Sequence, residues 1–264
     1  MERSSDRLSR RLTLLFRNDY LDRPMCQVDR YHEGGSRALV YGLGNAGARY
    51  LKETAGVSIG ATDWRSRNRT YTRENLDHTL AISRFLIDLE IACRARSDLA
   101  LISFEDILAT APEATRHSRF PMMWLVPLQW HEGKAQVQLA PDGIFGLRKI
   151  RADGTSARAF FFLEIDRGTM TIVPSESVQR SAAFPHRATI LRKLHAYADS
   201  YRLQLHEARF GIKAPRTLFI TTSETRAAAM QSAFELLVEK PMQLPSGLML
   251  FGTVSANPLT VASL

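Results

Sequence analysis

Two short stretches carry the residues best suited to chemistry: Pro141-Asp142-Gly143 and Glu164-Ile165-Asp166. Between them lies Asp153-Gly154, a dipeptide that fits the left-handed conformations of a tight hairpin turn. A turn centred between those two residues pairs Asp142 across near residue 165, and paired positions lie roughly 5 Å apart. Glu164 and Asp166 are two residues apart and so share a strand face. Three carboxylates then converge at one end of a hairpin. Such a group repels itself unless a cation lies between its members. Mg²⁺ favours oxygen ligands, with waters completing an octahedron, and a metal-bound water beside a phosphodiester can attack it. Asp142, Glu164 and Asp166 are therefore the expected metal ligands and catalytic acids. Register is decisive, because a slip of one residue turns Asp142 to the other face. The alternative is structural: a plain turn at 141–143 and a strand emerging into solvent at 164–166.

Pro-Asp, a hairpin, then Glu-x-basic on a central strand resembles the PD-(D/E)XK nuclease superfamily. This chain departs from that pattern at the last position, where Asp166 followed by Arg167 stands in place of lysine. The resemblance implies that the lysine steadies the attacking water and the scissile phosphate, which a carboxylate cannot do. Some members of the superfamily displace it to a neighbouring element. Lys193 is the leading substitute, since it lies four residues before Tyr197 and shares a helix face with it. Lys149 and Arg167 are further candidates.

The order of several stretches is similar to the replication-relaxation family of plasmid and mobile-element proteins. They are Leu14-Leu15-Phe16 through Tyr20-Leu21-Asp22-Arg23-Pro24; Tyr41-Gly42-Leu43 with Gly47-Ala48-Arg49-Tyr50-Leu51; His78-Thr79-Leu80-Ala81; Pro141-Asp142-Gly143; Phe162 through Thr169; and Lys193 with Tyr197. The resemblance covers most of the chain. It implies a winged-helix module joined to a nuclease-like domain, acting on plasmid or mobile-element DNA by binding, with Mg²⁺-dependent phosphodiester cleavage if Asp142, Glu164, Asp166 and Lys193 are active. The alternative is a non-catalytic DNA-binding regulator that uses a degenerate nuclease-like domain as a binding or dimerisation platform. Partners implied are DNA, plasmid replication or mobilisation proteins, and a second copy of the chain.

The elements that must position these residues follow from periodicity. Residues 3–17 read as an amphipathic helix, with Leu8, Leu12 and Leu15 on one face and Arg3, Arg7, Arg10, Arg11 and Arg17 on the other. A short strand at Gln27–Val28, a Gly-rich turn at 31–36, a returning strand from Arg37 to Leu43 and a helix from Asn45 to Thr54 complete the second half of a winged helix. Two earlier helices normally precede such a half. Either the native protein starts upstream of Met1 or the module is degenerate. The DNA-contacting residues expected here are Arg3, Arg7, Arg10, Arg11, Arg17 and Arg37.

Residues 55–73 are polar and arginine-rich and read as a linker. From 74 to 264 the order is a helix to Arg94, strands at 99–104, 135–139, 143–150 and 159–166, and an apolar segment at 124–130. A long helix at 186–210, a strand at 217–221, a helix at 225–239 and a last strand at 247–254 follow. Phe160 and Phe162 on one face, and Phe161, Leu163 and Ile165 on the other, mark the strand at 159–166 as buried on both sides. The fold class is α/β, a restriction-endonuclease-like mixed sheet flanked by helices and preceded by a partial winged-helix module (1–54) and a basic linker (55–73).

Gly42-Leu43-Gly44-Asn45-Ala46-Gly47 also matches the dinucleotide fingerprint G-x-G-x-x-G, with Asp63 at the expected distance. Its setting in a small basic module, with no series of βαβ units after it, favours a tight strand-to-helix turn instead.

Charge agrees with a polyanionic partner. The chain of 264 residues holds 35 Lys+Arg and 27 Asp+Glu, a net charge of +8. Residues 1–73 hold 14 basic residues, 13 of them arginine, against 8 acidic ones, so most of the excess lies in the first quarter of the chain. Arginine is the better bidentate phosphate partner. No apolar run approaches a membrane span, and there is no signal-peptide pattern. Cys26 and Cys93 lack metal-ligand spacing, so a reducing cytoplasm is the expected compartment.

Overall fold

The computed structural model describes residues 2–27, 38–56, 63–130, 133–238, 244–245 and 247–253, with backbone alone for residues 2–5. The chain divides into two compact units, residues 1–80 and 81–264.

In the first unit, α1 (Glu2–Arg17) ends at Asp19, whose φ of 61° turns the chain. β1 (Leu21–Asp22) then pairs antiparallel with β2 (Gly42–Leu43), in the register Leu21↔Leu43 and Asp22↔Gly42. The strand expected at Gln27–Val28 is not formed at Gln27, which sits in a 3₁₀ turn (Met25–Gln27). Its side chain replaces a ladder: Nε2 donates to the Val40 carbonyl at 2.8 Å, and Oε1 accepts from the Val40 amide at 2.7 Å. Val28, the turn at 31–36 and Arg37 lie outside the described residues. The returning strand is correspondingly short, since residues 38–41 are irregular.

α2 (Asn45–Ala55) follows, closed by Gly56 in the left-handed conformation. In the stretch expected to be a linker, α3 (Trp64–Arg69) is helical, because the Asp63 carboxylate caps it by accepting from the Ser66 amide.

α4 (Arg73–Arg94) contains the boundary between the units. β3 (Leu99–Ile102) stops short of the expected Phe104 because Ser103 and Asp106 form a reciprocal capping box that starts α5 (Phe104–Thr110). After α6 (Glu113–Arg116), β4 (Trp124–Trp130) and β5 (Gly133–Leu139) form a separate antiparallel pair. The central hairpin is β6 (Gly143–Ile150) and β7 (Ser156–Ile165). α7 (Glu176–Arg180), α8 (Ile190–Arg202), α9 (Leu205–Phe210), β8 (Arg216–Thr221), α10 (Glu224–Val238) and β9 (Met249–Thr253) complete the described chain.

The long helix expected at 186–210 is two helices. Gln204 takes a left-handed φ of 52° between α8 and α9. The buried His206 ring then lies beside the Ser200 and Lys213 carbonyls, at 3.3 and 3.1 Å.

The main sheet runs β3-β6-β7-β8-β9. Its first three strands are antiparallel neighbours, while β7-β8 and β8-β9 are parallel. This is the mixed sheet flanked by helices that the element order predicts. The two faces of β7 separate as the alternation requires. Phe161, Leu163 and Ile165 pack with Phe85, Leu89 and Cys93 of α4. Phe162 packs with Leu194 and Tyr197 of α8, Trp124 of β4 and Met230 of α10. No described helix is long and apolar enough to cross a membrane.

Candidate active site

The register settles which carboxylates meet. Gly143 pairs with Leu163, so the next position outward places Asp142 opposite Glu164, one residue from the position expected of a turn centred after Asp153. The Asp142 amide donates to the Leu163 carbonyl at 2.9 Å, and its Oδ2 accepts the Ile165 amide at 2.8 Å. The aspartate thus caps the end of the ladder.

Glu164 is 2% exposed. It lies on the α8 side of the sheet, between the apolar Leu163 and Ile165 that face α4. Lys193 Nζ donates to its Oε2, and Tyr197 Oη donates to its Oε1 at 2.6 Å. Both donors come from α8, one turn apart. That helix is positioned by its own capping: Thr189 Oγ1 accepts the Arg192 amide, and the Ile190 and Leu191 amides donate to Thr171 and Ile172. The first-turn amides are therefore occupied.

Burial pushes the Glu164 carboxyl up, against the opposing pull of Lys193, and the nearby Asp142 adds to the rise. Burial lowers Lys193, yet Glu164 holds the ammonium above its usual value. Tyr197 is raised well above its usual value by burial and by the adjoining carboxylate. Arg192, beside Lys193, is lowered by burial, and its Nε is buried without a hydrogen-bond partner.

Asp166 does not join this group. Arg226 of α10 grips it at two points, Nε to Oδ2 at 2.6 Å and Nη2 to Oδ1 at 3.0 Å. Oδ2 also accepts from Thr221 Oγ1 at 2.6 Å and from the Gly168 amide at 3.1 Å. Burial would raise this carboxyl, but the bonds from Arg226, Thr221 and Gly168 together hold it below its ordinary value. Arg226 and Thr221 were not anticipated from sequence, for Arg226 lies 60 residues from Asp166 with no motif between them.

The structure thus brings together Asp142, Glu164 and Lys193, with Tyr197 as a fourth member. Among the described residues no group of three or more His, Cys, Asp or Glu side chains could hold a metal ion, so the expected three-carboxylate set does not fit. Asp142 and Glu164 remain. Two carboxylates suit Mg²⁺, whose other ligands are commonly water and phosphate oxygens.

The glycine fingerprint has a structural explanation. A Cβ on Gly44 would lie 2.2 Å from the Asp19 carbonyl oxygen, and one on Gly47 would lie 2.1 Å from that of Tyr20. The Gly44 amide donates to Tyr20, and the Ala46 amide donates to Asp19. The glycines allow backbones to touch, and these amides of the α2 N-terminus face protein carbonyls instead of a pyrophosphate.

Of the arginines expected to contact DNA, Arg7, Arg10, Arg11 and Arg17 are exposed on α1. The side chain of Arg3 and the whole of Arg37 are outside the described residues.

The family model described as replication-relaxation matches residues 1–214, which include both units' sequence motifs and the Asp142–Glu164–Lys193 group. The chain belongs to the replication-relaxation family. Membership points to a role in plasmid or mobile-element replication or relaxation. No curated protein and no solved structure matches this replication-relaxation protein.

Proposed function

We propose that this replication-relaxation protein binds DNA and that its larger unit is a nuclease-type centre of the two-carboxylate, one-lysine kind. The observation that carries the reading is Lys193. It reaches from α8 to Glu164, where Asp142 adjoins on the neighbouring strand. The positive charge missing from position 166 is thereby returned to the site from another element.

In this reading Asp142 and Glu164 hold Mg²⁺. A bound Mg²⁺ supplies Lewis-acid polarisation of a phosphoryl oxygen and a more acidic water. Lys193 offers positive charge to a phosphate oxygen as negative charge develops there. Tyr197 fixes the orientation of Glu164 through Oε1. The exposed arginines of α1 contact the DNA backbone, and arginine forks suit phosphate oxygens.

A second reading has its own support. Both Glu164 oxygens accept hydrogen bonds within the protein, and Asp166 is paired with Arg226. These contacts favour a non-catalytic DNA-binding platform built on a nuclease-like frame.

Supercoiled plasmid incubated with Mg²⁺ or Mn²⁺ separates the two. Nicked or linear product from the wild type and none from Glu164→Ala is the result expected of a nuclease. Intact plasmid from both, with a salt-sensitive gel shift, establishes the platform instead. Intact plasmid and no shift removes DNA binding itself.

A further inference from the structure

The far end of the β6–β7 ladder carries two residues that the centre above does not use. Arg148 of β6 and Arg158 of β7 are register partners. Antiparallel partners project from the same face, with Cβ atoms roughly 5 Å apart. Both arginines are exposed, and neither makes an ion pair or a side-chain hydrogen bond among the described residues. On its other flank Arg148 is paired with Ala100 of β3, and Asp98, which precedes that strand, is held at two points by Arg96.

Residues 148–158 hold four basic side chains, Arg148, Lys149, Arg151 and Arg158, against the single acid Asp153. The Asp153 carboxylate accepts from the Thr155 amide at 2.9 Å and from its hydroxyl at 2.6 Å, so it serves its own turn.

Like charges directly opposite each other on paired strands destabilise the pairing. Packing does not require them. The next partners inward on the same face are Gly146 with Phe160 and Ile144 with Phe162, an apolar run that ends before the arginines begin. An anion between two guanidinium forks removes the repulsion and satisfies their donors, and phosphate oxygens match that geometry.

We propose that Arg148 and Arg158 form a two-arginine clamp on a backbone phosphate of duplex DNA. The clamp rests on the DNA-binding reading above and adds to it a contact made by the larger unit. Arg158 and Glu164 are six residues apart on one strand, about 20 Å at ~3.3 Å per residue. The clamp therefore grips backbone away from the carboxylate centre. Phosphate contacts fix position and orientation and carry no base information, so the clamp is indifferent to sequence.

The test is DNA affinity as a function of salt for the full chain: wild type, Arg148→Ala/Arg158→Ala, Arg148→Glu, and Arg7→Ala/Arg10→Ala/Arg11→Ala. One phosphate contact contributes about −0.9 to the log–log slope. The double alanine variant should flatten the slope by about that amount. The same power law makes its affinity roughly fivefold weaker at ~0.15 M salt.

Arg148→Glu sets opposite charges across the ladder, which favours strand pairing. It should melt no lower than wild type while binding DNA at least as weakly as the double alanine variant. Weaker binding with an undiminished melting temperature supports the clamp. Should Arg148→Glu melt lower, the slope of the double alanine variant decides. A wild-type slope in that variant, with a flattened slope in the α1 variant, overturns the clamp and leaves DNA binding standing. A wild type that does not bind DNA overturns the underlying reading and the clamp with it.

Discussion

Arg226 holds Asp166 in a two-point grip, with Nε 2.6 Å from Oδ2 and Nη2 3.0 Å from Oδ1. The guanidinium also donates to the Met170 carbonyl, so it ties the end of β7 to the loop that follows. Position 166, where the sequence resemblance implied a cation, is an acid neutralised by a cation from another helix. Asp166 is consequently a structural anchor for β7, the loop after it and α10.

Arg226→Met should therefore destabilise the fold by about 3 kcal/mol at neutral pH, the cost typical of leaving one partner of a buried pair unmatched. Asp166 is depressed in the native protein, so its contribution is present above the unfolded value near ~4 and is lost as pH falls through its lower native value. The deficit of Arg226→Met should shrink toward acid pH, where a protonated Asp166 no longer needs the guanidinium. Denaturant melts at neutral pH and near ~3 check this; an equal deficit at both would remove charge pairing as the cause.

Asp166→Asn and Asp142→Asn should differ in their metal dependence. If Asp142 and Glu164 are the metal-holding pair, Asp142→Asn raises the Mg²⁺ concentration needed for plasmid nicking. Asp166→Asn changes stability and leaves that concentration unchanged. A metal titration of nicking distinguishes the two carboxylates, and equal shifts would restore Asp166 to the ligand set.

Lys193→Met tests the ion pair on Glu164. Glu164 is raised by burial against the pull of Lys193, so the stability linked to it is present at low pH and is lost as pH rises through the raised value. Removing the ammonium raises it further. Between an acid and an alkaline pH the variant's loss of stability should grow, reaching about 3 kcal/mol once the buried carboxylate is ionised without its partner. Melting temperatures at the two pH values give the answer, and a deficit larger at low pH would contradict it. Tyr197→Phe should cost about 1.5 kcal/mol or more, the range for a bond to a charged acceptor.

Gly44→Ala and Gly47→Ala place a methyl group against the Asp19 and Tyr20 carbonyls. Each should destabilise the first unit by about 1–3 kcal/mol, the usual cost of overpacking. Excess nicotinamide dinucleotide should leave the wild-type melting temperature unchanged, since a ligand that does not bind the native state cannot shift it. A dose-dependent rise would reinstate the fingerprint.

Much of the larger unit is legible in the chain. The alternation of Phe160, Phe161, Phe162 and Leu163 specifies a strand buried on both faces, and Asp153-Gly154 specifies its hairpin with β6. Ser103 and Asp106 also announce a helix start, through the capping-box spacing that ends β3 early. The strand expected at Gln27 failed because a side-chain amide can make both bonds of a ladder step. The helix expected to run to Phe210 breaks at Gln204, and no Gly or Pro marks that break.

For the site, the sequence by itself determined the residue types: an aspartate before β6, a glutamate near the end of β7, and a lysine and tyrosine on one face of α8. Periodicity and turn chemistry are local, and these residues fall where local rules reach. Tertiary structure decided which of them act together. A register differing by one residue set Asp142 opposite Glu164, α8 brought Lys193 and Tyr197 to Glu164, and α10 took Asp166 for Arg226. Such partnerships depend on how helices pack across a sheet, and that is fixed by the burial of apolar faces, not by any spacing along the chain.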